Sequence, residues 1–154
     1  HNRRINGLFL RLRSRCGNLR LISTGEPHLM TLLQQSVISG AVVGLVADQR
    51  PSKRGIHSTL LGVPATTFSA GMGVLHERTG APVWFTALLL NERRGELPFS
   101  LVLRRVTSGT ERWTAGQVIS EYASQCGALI RRHPGQYLWL HDRWRGGSEE
   151  KGGV

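Results

Sequence analysis

Three residues with chemical potential stand together where an apolar run ends. "AVVGLVA" at 41–47 is followed at once by "DQRPSKRG" at 48–55, so Asp48, Gln49 and Arg50 offer a carboxylate, an amide and a guanidinium in sequence. Ligands of open α/β sheets gather at the carboxyl ends of the strands. A trio of this kind at such an end can position a hydroxyl and hold a phosphate. Lys53 and Arg54 add charge within the same loop. The same residues also make an ordinary solvated loop in which Asp48 pairs with Arg50 or Arg54, and the local sequence leaves both readings open.

A second concentration of chemistry closes the chain. "HPGQYLWLHDRWR" at 133–145 gathers Tyr137, Trp139, Trp144, His133, His141, Arg143 and Arg145. Such a stretch suits an active site, a nucleic-acid platform, a membrane-surface belt or a docking tail. Other templates fail. There is no Gly-x-Ser-x-Gly elbow and no P-loop, and "GMG" at 71–73 lacks the third glycine of a dinucleotide fingerprint. The six histidines lack metal-ligand spacing, so no metal and no cofactor is expected; His76 and His133 read as helix-surface groups. Cys16 and Cys126, each followed by glycine, make neither a disulfide framework nor a zinc site and read as buried free thiols.

The 154 residues carry 20 Lys+Arg against 10 Asp+Glu, a net charge of +10, and only Lys53 and Lys151 of those cations are lysines. Arginine holds phosphate and carboxylate through a planar fork of donors, so an anionic partner fits: nucleic acid, anionic lipid or phosphorylated glycolipid. A compositional bias toward arginine accounts for the charge equally well. Neither an RNA-recognition strand pattern nor a helix-turn-helix is present, so nucleic acid is not the expected partner. No apolar run approaches the ~18–20 residues of a spanning helix, the longest being "VWFTALLL" at 83–90.

The elements that must position these residues alternate in type. Residues 6–16 read as a short basic-apolar helix stopped by Gly17, and 24–39 as a helix with Pro27 in its first turn and Gly40 as its stop. Residues 41–47 read as a strand buried on both faces. "IHSTLLGVPA" is an extended piece turning at Gly62–Pro64. Residues 66–80 read as a helix capped by Thr66 or Thr67 and ended by Gly80; its small residues Ala70, Gly71 and Gly73 suggest the close approach of another backbone. "APVWFTALLLNE" and "LPFSLVLRRV" form a hairpin. Residues 114–132 are the last long helix, capped by Thr114, with Val118, Ile119, Tyr122, Cys126, Leu129 and Ile130 as its apolar stripe. The pattern predicts an α/β sandwich with a mostly parallel central sheet flanked by helices. Residues 1–145 are expected to belong to one domain and 146–154 to form a disordered tail.

Three stretches in order resemble the bacterial lipid A biosynthesis acyltransferases. "AVVGLVADQRPSKRGIHSTLLGVPATT" at 41–67 is similar to that family's apolar strand ending in Asp-Gln, with its Gly-x-Pro-Ala turn, although Leu60 and Leu61 replace the usual aromatics. "LHERTGAPV" at 75–83 resembles its helix-to-strand join, and "HPGQYLWLHDRWR" its closing signature. The resemblance covers nearly all of residues 1–145.

It implies an enzyme that moves a fatty acyl chain from acyl carrier protein to a hydroxyl of a phosphorylated glucosamine glycolipid, at the cytoplasmic face of the inner membrane. It also implies a glycerolipid-acyltransferase-like fold in which the His of a His-x4-Asp/Glu dyad is the general base. Asp48, Gln49 and Arg50 stand where relatives carry a phosphate-gripping block; Arg54, Arg143 and, with a register slip of one, Arg3 complete the candidate binding residues. The dyad itself is absent: five positions after the six histidines come Asn6, Leu33, Gly62, Ala81, Leu138 and Gly146. The expectation is therefore a C-terminal portion whose dyad and membrane anchor lie upstream of His1, inactive alone. The alternatives are an acyltransferase for another glycolipid or a lysophospholipid, and a non-enzymatic basic module for anionic lipid or nucleic acid.

Overall fold

The structure, a computed structural model, describes residues 7–8, 11–12, 15, 17–51, 55–91 and 97–144. The chain divides into two compact units, His1–Leu32 and Leu33–Val154. In the first, residues 7–8 and 11–12 are helical, within the short helix expected at 6–16; Cys16 lies outside the described residues. Helix α1 spans Leu29–Ile38. It starts later than Pro27 suggests, because His28 takes a left-handed φ of 58° just ahead of it. It stops as expected at Gly40, whose φ of 87° suits a residue without a Cβ.

The second unit continues with strands β1 (Ile56–Leu60) and β2 (Val63–Phe68), helix α2 (Gly71–Thr79), strands β3 (Val83–Leu90) and β4 (Phe99–Thr107), helix α3 (Ala115–Arg132) and a 3-10 turn at Pro134–Gln136. This is a mixed α/β arrangement with two small sheets, β1–β2 and β3–β4. Both ladders are antiparallel.

Helix α3 is the organising element. Thr114 opens it with a reciprocal capping box: Gln117 N–H donates to Thr114 Oγ1 at 3.3 Å, and Thr114 N–H donates to Gln117 Oε1 at 2.8 Å. The expected stripe is the one that packs. Val118 and Ile119 are fully buried, and Ala123, Cys126, Leu129 and Ile130 continue the same face into a core shared with Leu60, Phe68, Phe85 and Val106. Burial of side chains like Ile119 and Phe68 is worth roughly 1.5–3 kcal/mol each.

Two expectations change. The helix drawn over 66–80 begins only at Gly71, and residues 66–68 belong to β2. Thr66, Thr67 and Phe68 pair with Ser58, His57 and Ile56, and Phe68 is fully buried. β-Branched threonines with a core aromatic fit a pleated ladder better than a helical first turn. The hairpin turn is Leu61–Gly62, both at positive φ (55° and 88°), which matches the right-handed twist of the flanking strands. Second, the run 41–47 is extended but carries no ladder among the described residues, and it is not buried on both faces: Val42 is 99% and Val46 83% exposed, while Ala47 alone is buried. Apolar composition marks a strand suited to burial, but burial requires neighbours on both sides, and no described element supplies them.

His76 also departs from its surface reading. It is 3% exposed, and its Nδ1–H donates to the Ala81 carbonyl at 2.8 Å, with Thr107 Oγ1 3.2 Å away. A carbonyl only accepts, so this contact fixes the proton on Nδ1. His76 thereby ties the end of α2 to the start of β3 and the end of β4. The close approach expected at the small residues of α2 is met at Gly73: a Cβ there would lie 2.6 Å from the Ala115 carbonyl oxygen and 2.8 Å from its Cα. Backbone cannot move aside as a flexible side chain would. Gly73→Ala is expected to cost about 1–3 kcal/mol, read as a lower urea midpoint, whereas Gly116→Ala on the open side of α3 should not.

β3 and β4 pair from Val83 to Leu90 with one irregularity after Val83. The inner face carries Phe85, Ala87 and Leu89 toward α3. The outer face sets Leu90 opposite Phe99, Leu88 opposite Leu101 and Thr86 opposite Leu103, and all six are exposed. An apolar sheet face of this kind is surface meant to be covered.

Candidate functional site

The loop that follows 41–47 and the closing segment, far apart in sequence, meet in space. The Arg50 N–H donates to His141 Nε2 at 3.3 Å. The closing segment is not a strand. After the Pro134–Gln136 turn it folds back on itself: Trp139 Nε1–H donates to the Pro134 carbonyl at 2.7 Å, Tyr137 meets Trp139 edge-on at 5.1 Å, and Trp139 stacks on Trp144 at 6.0 Å. Gln136 fastens the turn to β3 by imitating a neighbouring strand. Its Oε1 accepts from Leu90 N–H at 2.8 Å and its Nε2 donates to the Leu90 carbonyl at 3.0 Å.

Beside these contacts lies a half-open cavity of about 360 Å³ between residues 45–48, β3, α3 and residues 133–137. One wall is apolar, from Leu45, Ala47, Phe85, Ala87, Leu129 and Ile130. The polar contribution comes from Asp48, Tyr122, Cys126, His133, Gln136 and Tyr137. This mixture, apolar walls with a few convergent polar groups, is the usual composition of a small-molecule site.

Arg143 lies deeper than its sequence position suggests. It was expected at the surface of an anionic substrate, yet it is 1% exposed. Its guanidinium carbon sits 4.2 Å from the centroid of the Phe68 ring, and Nη1–H donates to the Thr67 carbonyl. Nε and Nη2 are enclosed with no hydrogen-bond partner. Burial pulls the guanidinium below its ordinary pKa, while Tyr137, Cys126, Tyr122 and Asp48 act in the opposite direction. Arginine nonetheless keeps its proton in proteins. A fixed positive charge therefore stands behind four groups that line the cavity.

The same environment sets the protonation of its neighbours. Burial, above all, raises the Tyr122 and Tyr137 hydroxyls and pushes the Cys126 thiol up to about 11 from 9.0. Cys126 is thus a neutral thiol at physiological pH and no nucleophile. Because its folded value is raised, the stability it lends is present below pH 9 and lost as pH climbs toward about 11. Replacing Cys126 with Ala is expected to flatten the alkaline fall of the urea midpoint across that window. Native-state labelling with an aromatic disulfide reagent at pH 8 should also be far slower than in urea.

Of the residues singled out by sequence, Asp48 lines the cavity, Gln49 and Arg50 are exposed beside it, and Arg143 is internal. Arg3 and Arg54 lie outside the described residues. Tyr122 and Cys126, read as packing groups of the α3 stripe, do pack in the core and line the cavity as well, as does Tyr137. The signal for two of them was present, since Tyr122 and Cys126 sit one helical turn apart on the stripe of α3. Among the described residues no group of three or more His, Cys, Asp or Glu could hold a metal ion, and no helix is long and apolar enough to cross a membrane.

No individually curated protein matches the chain. The family model for bacterial lipid A biosynthesis acyltransferase, by contrast, matches residues 1–146, which takes in the 41–47 run, the Asp48 loop, the cavity and all of the closing segment. On that match the chain belongs to the bacterial lipid A biosynthesis acyltransferase family.

Proposed function

We propose that this chain serves the transfer of a fatty acyl group from acyl carrier protein to a hydroxyl of a phosphorylated lipid A precursor, at the cytoplasmic face of the inner membrane. The observation that carries the reading is the family match across residues 1–146. The cavity supports it: an apolar wall suits an aliphatic chain, and Asp48 with its exposed neighbours Gln49 and Arg50 offers acceptors and donors to a phosphorylated sugar. Arg54 and Arg3 are proposed to add to phosphate binding. The proposal includes a glycerolipid-acyltransferase-like sandwich with a mostly parallel sheet. Two features support that wider fold: the unladdered apolar run 41–47 and the uncovered outer face of the β3–β4 hairpin. The general base is proposed to lie outside these 154 residues, because no histidine among them has an acidic residue five positions on.

The test supplies an acyl-acyl carrier protein and a phosphorylated lipid A precursor to these 154 residues and to a longer protein carrying a His-x4-Asp/Glu dyad ahead of them. Products are weighed by mass spectrometry. One added acyl chain is expected with the longer protein and none with the 154 residues alone. Acylation of a lysophospholipid instead would reassign the acceptor, and no acylation of either lipid by the longer protein would sink the reading.

A further inference from the structure

We propose that the exposed apolar loop of Leu138, Trp139 and Leu140, with Leu97 beside it and Arg131 and Arg132 at its root, docks on a bilayer bearing anionic headgroups. That docking rests on the reading of the chain as acting on a membrane lipid, and it names the side of the molecule that meets the membrane.

Leu138, Trp139 and Leu140 are 56%, 49% and 95% exposed, although Tyr137 and Trp144 around them pack against the core. The loop is held in shape and not frayed. Trp139 Nε1–H donates to the Pro134 carbonyl, and the Trp139 ring stacks on Trp144. At the root of the loop Gln136 takes both backbone groups of Leu90. Leu90 pairs with Phe99 of β4, so those two groups belong to the opposite edge of β3. Across the same strand end stands Leu97, which precedes β4 and is 79% exposed. Asn91 fixes it there, its Nδ2–H donating to the Leu97 carbonyl at 2.7 Å. Large apolar side chains from two distant stretches of sequence are thus left to solvent at one end of the second unit.

Charge selects the occupant. Arg131 and Arg132 end α3 just ahead of the loop, and both are exposed. Residues 131–145 hold four arginines against one carboxylate, Asp142, while the hairpin turn at 92–96 has two Glu and two Arg and no net charge. Guanidinium groups hold lipid phosphates, and Leu and Trp side chains enter the boundary between headgroups and acyl chains. A second copy fits badly. It would set the same cations face to face, and four side chains fall short of the roughly 800 Å² per partner of a stable protein interface. The cavity lies alongside: His133, Gln136 and Tyr137, which lead into the loop, line it. Docking therefore brings the cavity to the surface that holds a lipid acceptor.

The test is co-sedimentation of the 154-residue chain with vesicles of phosphatidylcholine, alone or mixed equally with phosphatidylglycerol, and with no acyl donor present. Binding to the mixed vesicles is expected to be about tenfold tighter than to phosphatidylcholine alone. Leu138→Ser combined with Leu140→Ser should weaken it about tenfold and Leu97→Ser about threefold. Ile38→Ser, at an exposed position of α1, should leave it unchanged, and circular dichroism should be the same throughout. Arg131→Gln with Arg132→Gln should also cost about tenfold, whereas Arg15→Gln with Arg20→Gln, which removes the same charge elsewhere, should not. Brominated phospholipid should quench the tryptophan fluorescence, and most of that quenching should vanish in Trp139→Phe. Binding that survives the double leucine substitution, or that falls equally with the Arg15 and Arg20 pair, would overturn the inference and show adsorption by net charge alone. A dimer seen by light scattering and dissolved by Leu140→Ser would give the loop to a second copy and overturn it likewise. Since no acyl donor is present, a failure to dock leaves the acyl-transfer reading standing, and a failure of acyl transfer leaves the docking result intact.

Discussion

Truncating Phe68 to Ala is expected to be the most damaging single change in the chain, lowering stability by about 3–5 kcal/mol. The ring is fully buried and holds three elements in register. It meets Tyr122 of α3 edge-on at 6.1 Å, belongs to the end of β2 and lies under the Arg143 guanidinium of the closing segment. Removing it leaves a cavity between helix and sheet and strips the one aromatic face from a buried cation. Urea unfolding followed by circular dichroism would show the loss as a lower midpoint with an unchanged slope. Phe68→Leu should cost much less, because it refills most of the volume and forfeits only the ring-specific contacts. If Phe68→Ala shifted the midpoint by less than about 1 kcal/mol, the core described around it would be wrong.

The second large effect has the opposite sign. Arg143→Met is expected to raise stability by about 1–4 kcal/mol, as found when buried charges give way to apolar groups of similar volume. Several contributions decide this. The Thr67 carbonyl loses a charge-assisted hydrogen bond and the Phe68 ring loses its cation, together costing about 2–5 kcal/mol. Against this, two enclosed N–H donors without partners vanish, each worth about 1–3 kcal/mol, along with the several kcal/mol of keeping the charge itself out of water. For a chain of this size each kcal/mol moves the melting temperature by about 2–4 °C. A clear drop in stability would show instead that the guanidinium braces the fold through Thr67 and Phe68.

How much of this could be read in advance differs between elements for physical reasons. Helix α3 was legible from its cap to its stripe, since Thr114, Gln117 and the 3.6-residue spacing of Val118, Tyr122, Cys126 and Leu129 are local signals. β3 was legible in the continuous run of residues 83–90, and the stops at Gly40 and Gly80 in their freedom to take positive φ. The N-terminal boundary of α2 was not, because Thr66 and Thr67 serve equally as helix caps and as β-branched ladder residues, and only their pairing with His57 and Ser58 decides. The run 41–47 carried the composition of a buried strand, but neighbours determine burial, and composition does not contain them. Asp48 was found by its place after that run. Arg143 was found for its charge, yet its burial could not be seen, since what hides it comes from Phe68 and Thr67, some 76 residues earlier.

The contacts that hold the closing segment join residues far apart along the chain: Gln136 to Leu90 across 46 positions, Arg143 to Thr67 across 76 and His141 to Arg50 across 91. Loops of that length are closed late, after local helices and hairpins have formed, and they reopen first. The closing segment is therefore expected to release while α3 and the β3–β4 hairpin stay folded, removing one wall of the cavity. Hydrogen exchange should report this as a separate, lower-energy opening of residues 137–144, distinct from the global unfolding that frees the amides of Val118 and Ile119. Residues 133–137 are the last along the chain to line the pocket, so a chain shortened before His133 would keep a core and lose one wall of the pocket.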